Sequence, residues 1–282
     1  MSGCCSISHE LLTTRAPLAV ALAASGAIAF AAWRARSLSR SGAFAAVAVG
    51  TVSLVQAWGW GAFLILWFLL ASLVSMIGRA RKAARTLGVV EKGNRRDAIQ
   101  VLANGGLYAT AALATAALVP AEYFDGIAIA AAASLAATGA DTWATEIGTL
   151  AGGQPWSLRV GRRVAVGTSG AITGLGTASA GGGACVLALV AGALAVVPQT
   201  GIAAVAIGGF VGAMADTLVG AWWQERRWCP TCDLPTEQRV HNCGTTTRQS
   251  GGVALLDNDA VNFTCAATGA ACALLLWRVQ IG

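Results

Sequence analysis

The run Gly139-Ala-Asp-Thr-Trp-Ala-Thr-Glu146 puts two carboxylates, Asp141 and Glu146, at the end of an Ala-rich apolar segment. A later apolar segment repeats the feature as Ala215-Asp216-Thr217. An acid near the middle of a membrane helix costs roughly 3 kcal/mol on insertion scales. Carboxylates kept at that cost have a partner, an ion or a reaction to serve. Asp141 and Asp216 are suited to Mg²⁺ bridging the phosphates of a nucleotide, with Glu146 as a further ligand or just behind one. Interhelical hydrogen bonding is the structural alternative, but Asn would serve it with less desolvation.

Phosphate chemistry is suggested by Gly167-Thr168-Ser169-Gly170, with Thr173 and Gly174 beyond. Such a run before a helix offers backbone N–H groups, hydroxyl donors and the positive end of a helix dipole. Arg159, Arg162 and Arg163 lie just upstream. The run lacks the Lys of a Walker A motif, and Gly-rich helix packing alone explains it equally well. Its weight comes from standing beside three acids. A second cluster, Cys229-Pro-Thr-Cys232 with His241-Asn-Cys243, fits a structural Zn²⁺ knuckle, although one residue alone separates the last two ligands. Cys185, Cys265 and Cys272 read as apolar packing. Cys4 and Cys5 are acylation candidates in an otherwise ordinary polar tail.

The elements that must position these groups are membrane helices. Of 282 residues, 56% are hydrophobic and 11% charged, where a soluble domain carries about 25% charged. The chain reads as an all-α, polytopic transmembrane bundle of about eight spans, at 16–33, 42–57, 61–78, 98–119, 126–149, 174–197, 200–223 and 259–277. The 35 glycines allow close helix packing. Residues 1–97 form an N-terminal part of three helices and a basic loop, and 98–282 a catalytic part of five helices with a polar loop at 224–258.

Charge sets the orientation. The loops after the first, third, fifth and seventh helices hold 3, 7, 3 and 4 of the Lys and Arg residues, 17 of 19 in all. The positive-inside rule then puts these loops in the cytoplasm and both termini outside. The net charge of +6 is an anchoring pattern, and no nucleic-acid partner is expected. Asp141 and Asp216 fall on the order of 6 Å to the cytoplasmic side of their helix midpoints, and Glu146 about 13 Å. Asn104 and Asn262 enter from the same side. Ser134, Thr138, Asp141 and Thr145 share one helical stripe, and Gly208, Gly212, Asp216 and Gly220 another. Glu146 lies about 140° around the helix from Asp141, so both face one site only if the helix loosens near Gly148.

Taken in order, Gln100-Val-Leu-Ala-Asn-Gly-Gly106, Ala140-Asp-Thr-Trp-Ala-Thr-Glu-Ile-Gly148, Gly167-Thr-Ser-Gly170, Ala215-Asp-Thr217 with Gly220, and Asn258-Asp-Ala-Val-Asn262 resemble the integral-membrane family of phytyl-phosphate kinases and transmembrane protein 19. The resemblance covers about 95–269, and the first three helices share only their apolar character. It implies CTP-dependent phosphorylation of an isoprenoid monophosphate, phytyl or polyprenyl, to the diphosphate in a bacterial inner or plastid membrane. Arg95, Asn104, Asp141, Glu146, Asp216 and Asn262 match the family's polar motif positions. The rival reading is a cation or small-solute transporter using the same acids, which requires polar groups to continue to the outer side. A lipid-scaffold protein without chemistry leaves the Gly-Thr-Ser-Gly run unexplained.

Overall fold

The computed structural model describes residues 10–85 and 95–281; Cys4, Cys5 and part of the basic loop lie outside the described residues. Eight long helices follow the expected order: α1 (Leu18–Arg34), α2 (Arg40–Gln56), α3 (Trp58–Met76), α5 (Ala98–Ala117), α6 (Phe124–Ala151), α7 (Gly174–Ala193), α8 (Ile202–Trp222) and α9 (Asn258–Ile281). A short α4 (Arg79–Arg85) sits in the basic loop. The gap left between the expected spans 42–57 and 61–78 is instead the single extended residue Ala57, and α3 begins at Trp58.

Among the described residues, five helices are long and apolar enough to cross a membrane: α3, α6, α7, α8 and α9. That is fewer than the eight spans expected. At 17 residues each, α1 and α2 reach about 25 Å, short of the ~30 Å hydrocarbon core. The chain is nevertheless a multi-pass helical membrane protein.

The core forms around α6. Ala131, Ala132, Ala133, Leu135, Ala136 and Ala137 are all buried, where the helix meets α7, α8 and α9. Its polar stripe is satisfied locally: Ser134 donates to the Ala131 carbonyl at 2.7 Å and Thr138 to that of Leu135 at 3.2 Å. Small residues bring α8 and α9 into backbone contact. A Cβ at Gly208 would stand 2.6 Å from the Gly269 carbonyl oxygen, and one at Gly212 2.6 Å from that of Cys265. The N-terminal helices join through Tyr108 of α5, fully buried, whose hydroxyl donates to the Trp60 carbonyl at 2.9 Å.

Both long polar connections fold into small antiparallel sheets. Between α6 and α7, β1 (Trp156–Ser157) is flanked by β2 (Arg162–Arg163) and β3 (Ala171–Ile172). Between α8 and α9, β4 (Arg226–Cys229) lies between β5 (Leu234–Thr236) and β6 (Arg248–Gly251). Strands of two to four residues are too short for alternation to mark them in sequence.

Candidate active site

A cavity of about 440 Å³ opens at one end of the bundle. Its walls take residues from all four basic connections, including Arg36 after α1, Arg79 after α3, Gly167–Gly170 after α6 and Glu237 after α8. These connections therefore share one end of the molecule. Asn104 from α5, Asp141 and Glu146 from α6, Asp216 from α8 and Asn262 from α9 all line the same space. Asp216 Oδ2 is buried with no hydrogen-bond partner. A buried anionic oxygen without a donor suits a cation ligand, so the residues present fit Mg²⁺.

Asp141 and Glu146 reach the cavity without any loosening of the helix. α6 runs unbroken to Ala151, and Gly148 packs on α7, where a Cβ would stand 2.9 Å from Thr173 Oγ1. The cavity instead wraps around the last turns of α6, so residues about 140° apart both line it.

Glu146 has a partner that charge counting along the chain did not reveal. Lys82 of α4 pairs with it and also donates to the Val74 and Ser75 carbonyls, at 3.1 and 2.9 Å. Arg85, one turn on, donates to the Thr149 carbonyl at 2.9 Å. Two cations thus sit at the negative end of the α6 dipole.

The Gly-Thr-Ser-Gly loop is shaped by Gly167 (φ +90°) and Gly170 (φ +69°), in the left-handed region that a side chain disfavours. Gly170 lies against the Ala221 backbone of α8. Thr168 Oγ1 donates to the Ala165 carbonyl at 2.8 Å, Ser169 bonds Gln224, and Thr173 accepts from the Gly176 amide at 3.0 Å, capping α7. The hydroxyls hold the loop in shape, and the loop lines the cavity.

The arginines are distributed differently from the sequence expectation. Arg95 is exposed and does not line the cavity; its neighbour Arg96 does. Arg159 and Arg162 are exposed and also lie off the cavity wall. Arg96 stacks over the Phe68 ring at 5.4 Å. Burial strips its guanidinium of hydration, and the Glu146 carboxylate offsets part of that loss. One sequence signal could have found it. Asp97 and Gln100 form a capping box that opens α5, which fixes Arg96 at the N-terminal edge of the helix.

A second, apolar cavity of about 80 Å³ lies among α1, α2, α3 and α5, lined by Ile28, Ala29, Val49, Leu64 and Phe68 among others. Trp67, Arg96, Gln100 and Asn104 border both cavities. The Cys229, Cys232, His241 and Cys243 side chains also converge, with ligand atoms all within 4.8 Å of one another.

The family model described as integral membrane protein DUF92 matches residues 23–270. The chain belongs to this family. The DUF92 match agrees with the helical bundle and bears out the resemblance read from the motifs. It starts within α1, so Arg36 and Trp67 both lie inside the shared region. Protein PGR of Arabidopsis thaliana is 27% identical over 273 residues, covering 87% of this chain and 91% of its own. No solved structure matches this DUF92 chain.

Proposed function

We propose that this DUF92 protein is a phosphotransferase that moves the terminal phosphoryl group of a nucleoside triphosphate, CTP as the resemblance implies, onto an isoprenoid monophosphate such as phytyl phosphate. The observation that carries the reading is the shared wall of the two cavities. A polar chamber with four acids and three arginines meets an apolar recess at Arg96, Gln100 and Asn104. An anionic head on a hydrocarbon tail matches that pairing.

The acceptor phosphate oxygen attacks the terminal phosphorus, the bond to the bridging oxygen breaks, and the nucleoside diphosphate leaves. The acceptor is already an anion near neutral pH, so no general base is required, and positioning with charge neutralisation suffices. Bound Mg²⁺ supplies Lewis-acid neutralisation of the phosphates. Asp141 and Asp216 hold that ion, Asn104 and Asn262 orient the groups around it, and Arg96 holds the acceptor phosphate where polar and apolar walls meet. Gly167–Gly170 cradles an anionic partner. Transport is less well supported, because the core around α6 beyond Asp141 is apolar and the Ser134 and Thr138 hydroxyls there are satisfied within their own helix.

The test is purified protein in detergent with Mg²⁺, phytyl monophosphate and each of the four nucleoside triphosphates in turn, scored for diphosphate product. CTP-dependent product is expected. No product with any nucleotide would set the reading aside.

A further inference from the structure

The segment between α8 and α9 has almost no core of its own. From 224 to 257 the buried side chains are Gln224, Glu225, Cys229, Thr236, His241 and Thr247, with no large apolar group among them. Three short strands without such a core do not hold together by burial, and small units of this kind rely on disulfides or metals. There is no disulfide here: Cys229, Cys232 and Cys243 are free.

The four side chains instead converge, with their ligand atoms all within 4.8 Å of one another. Zn–S and Zn–N bonds of about 2.3 and 2.0 Å at tetrahedral angles put sulfurs about 3.8 Å apart and nitrogen about 3.5 Å from sulfur. Cys229 Sγ and Cys243 Sγ are 3.6 Å apart, and His241 Nδ1 is 3.2 Å from Cys243 Sγ. Cys229 closes β4, Cys232 follows in the turn to β5, and His241 and Cys243 belong to the excursion between β5 and β6. One ion would therefore tie the hairpin to the excursion. Glu237 lies between these attachment points, after β5, and lines the cavity that holds Asp216.

We propose that Cys229, Cys232, His241 and Cys243 bind one structural Zn²⁺, and that this ion staples the segment that holds Glu237 at the wall of the polar cavity. The ion takes no part in the chemistry. The proposal stands independently of the phosphotransferase reading, and its readouts need no substrate.

The experiment uses the full chain purified in detergent without chelators. Elemental analysis should find about one zinc per chain, X-ray absorption at the zinc edge should show three sulfurs and one nitrogen, and Cys229→Ser should lose the metal. Adding a strong chelator should raise hydrogen exchange across 226–251 while α6 and α8 keep their protection. Zinc-free wild-type protein with three freely reactive thiols, or a zinc shell without sulfur, would overturn the site. Zinc removal that leaves exchange at 226–251 unchanged would overturn its role as a staple. The absorption and exchange measurements use wild-type protein, so they decide the matter even if Cys229→Ser does not fold.

Discussion

Lys82 and Glu146 form an ion pair that ties the short helix α4 to the last turns of α6. The Lys82 side chain is 9% exposed and that of Glu146 26%, so water screens the pair poorly. Removing one member leaves the other as a buried charge, which typically costs about 3 kcal/mol or more. Glu146→Gln should therefore lower stability in detergent unfolding measurements. Lys82→Met combined with Glu146→Gln should cost less than the two single changes added together, by about 1–3 kcal/mol of coupling. Additive losses would mean that the two side chains do not act as a pair.

Asp141→Asn and Asp216→Asn keep size and hydrogen bonding but remove the charge that would hold the proposed cation. Each should lower turnover roughly 100-fold or more, if metal neutralisation supplies about 3 kcal/mol of transition-state stabilisation. Folding should survive, since an amide is easier to bury than a carboxylate. Raised Mg²⁺ should partly rescue the milder variant. Near-wild-type diphosphate synthesis by both variants would make these acids structural.

Gly105 lines the apolar recess, and a Cβ there would meet nothing closer than Val49 at 3.6 Å. Gly105→Leu should be tolerated by α5, where Leu is a better helix former by close to 1 kcal/mol, while filling the recess. Activity on phytyl phosphate should fall, and activity on a short five-carbon monophosphate should hold. Equal loss on both substrates would show that the recess does not receive the tail.

Orientation is tested at Glu122, in the short turn before α6 and far along that helix from Asp141. Glu122→Cys should add no labelling by an impermeant maleimide applied to the cytoplasmic face, relative to the parent chain. Efficient labelling there would reverse the assignment.

The convergence of Asn104, Asp141, Glu146, Asp216 and Asn262 was legible because each sits on a regular helix, whose fixed rise converts residue number into depth. Lys82 and Glu237 were not legible, and Arg96 was legible only through the capping box of Asp97 and Gln100. The three lie on a short helix, a strand end and an N-terminal edge, where no periodicity fixes direction. The same limit applies to Arg159 and Arg162, whose sequence proximity to Gly167 did not become proximity to the cavity. For Glu146 the helix geometry was read correctly, but the shape of the cavity around α6 belongs to the packing of α4, α5 and α7 and leaves no trace in one helix's own pattern.

The apolar recess reaches Ile28, which is 38% exposed on the outer surface of the bundle. A hydrocarbon chain seated there approaches sideways, within one leaflet, and never has to enter water. The rate would then follow the substrate's mole fraction in the bilayer more closely than its amount per volume of solution. Diluting the substrate with inert lipid at constant total quantity should slow the proposed reaction, and adding buffer at constant lipid composition should not.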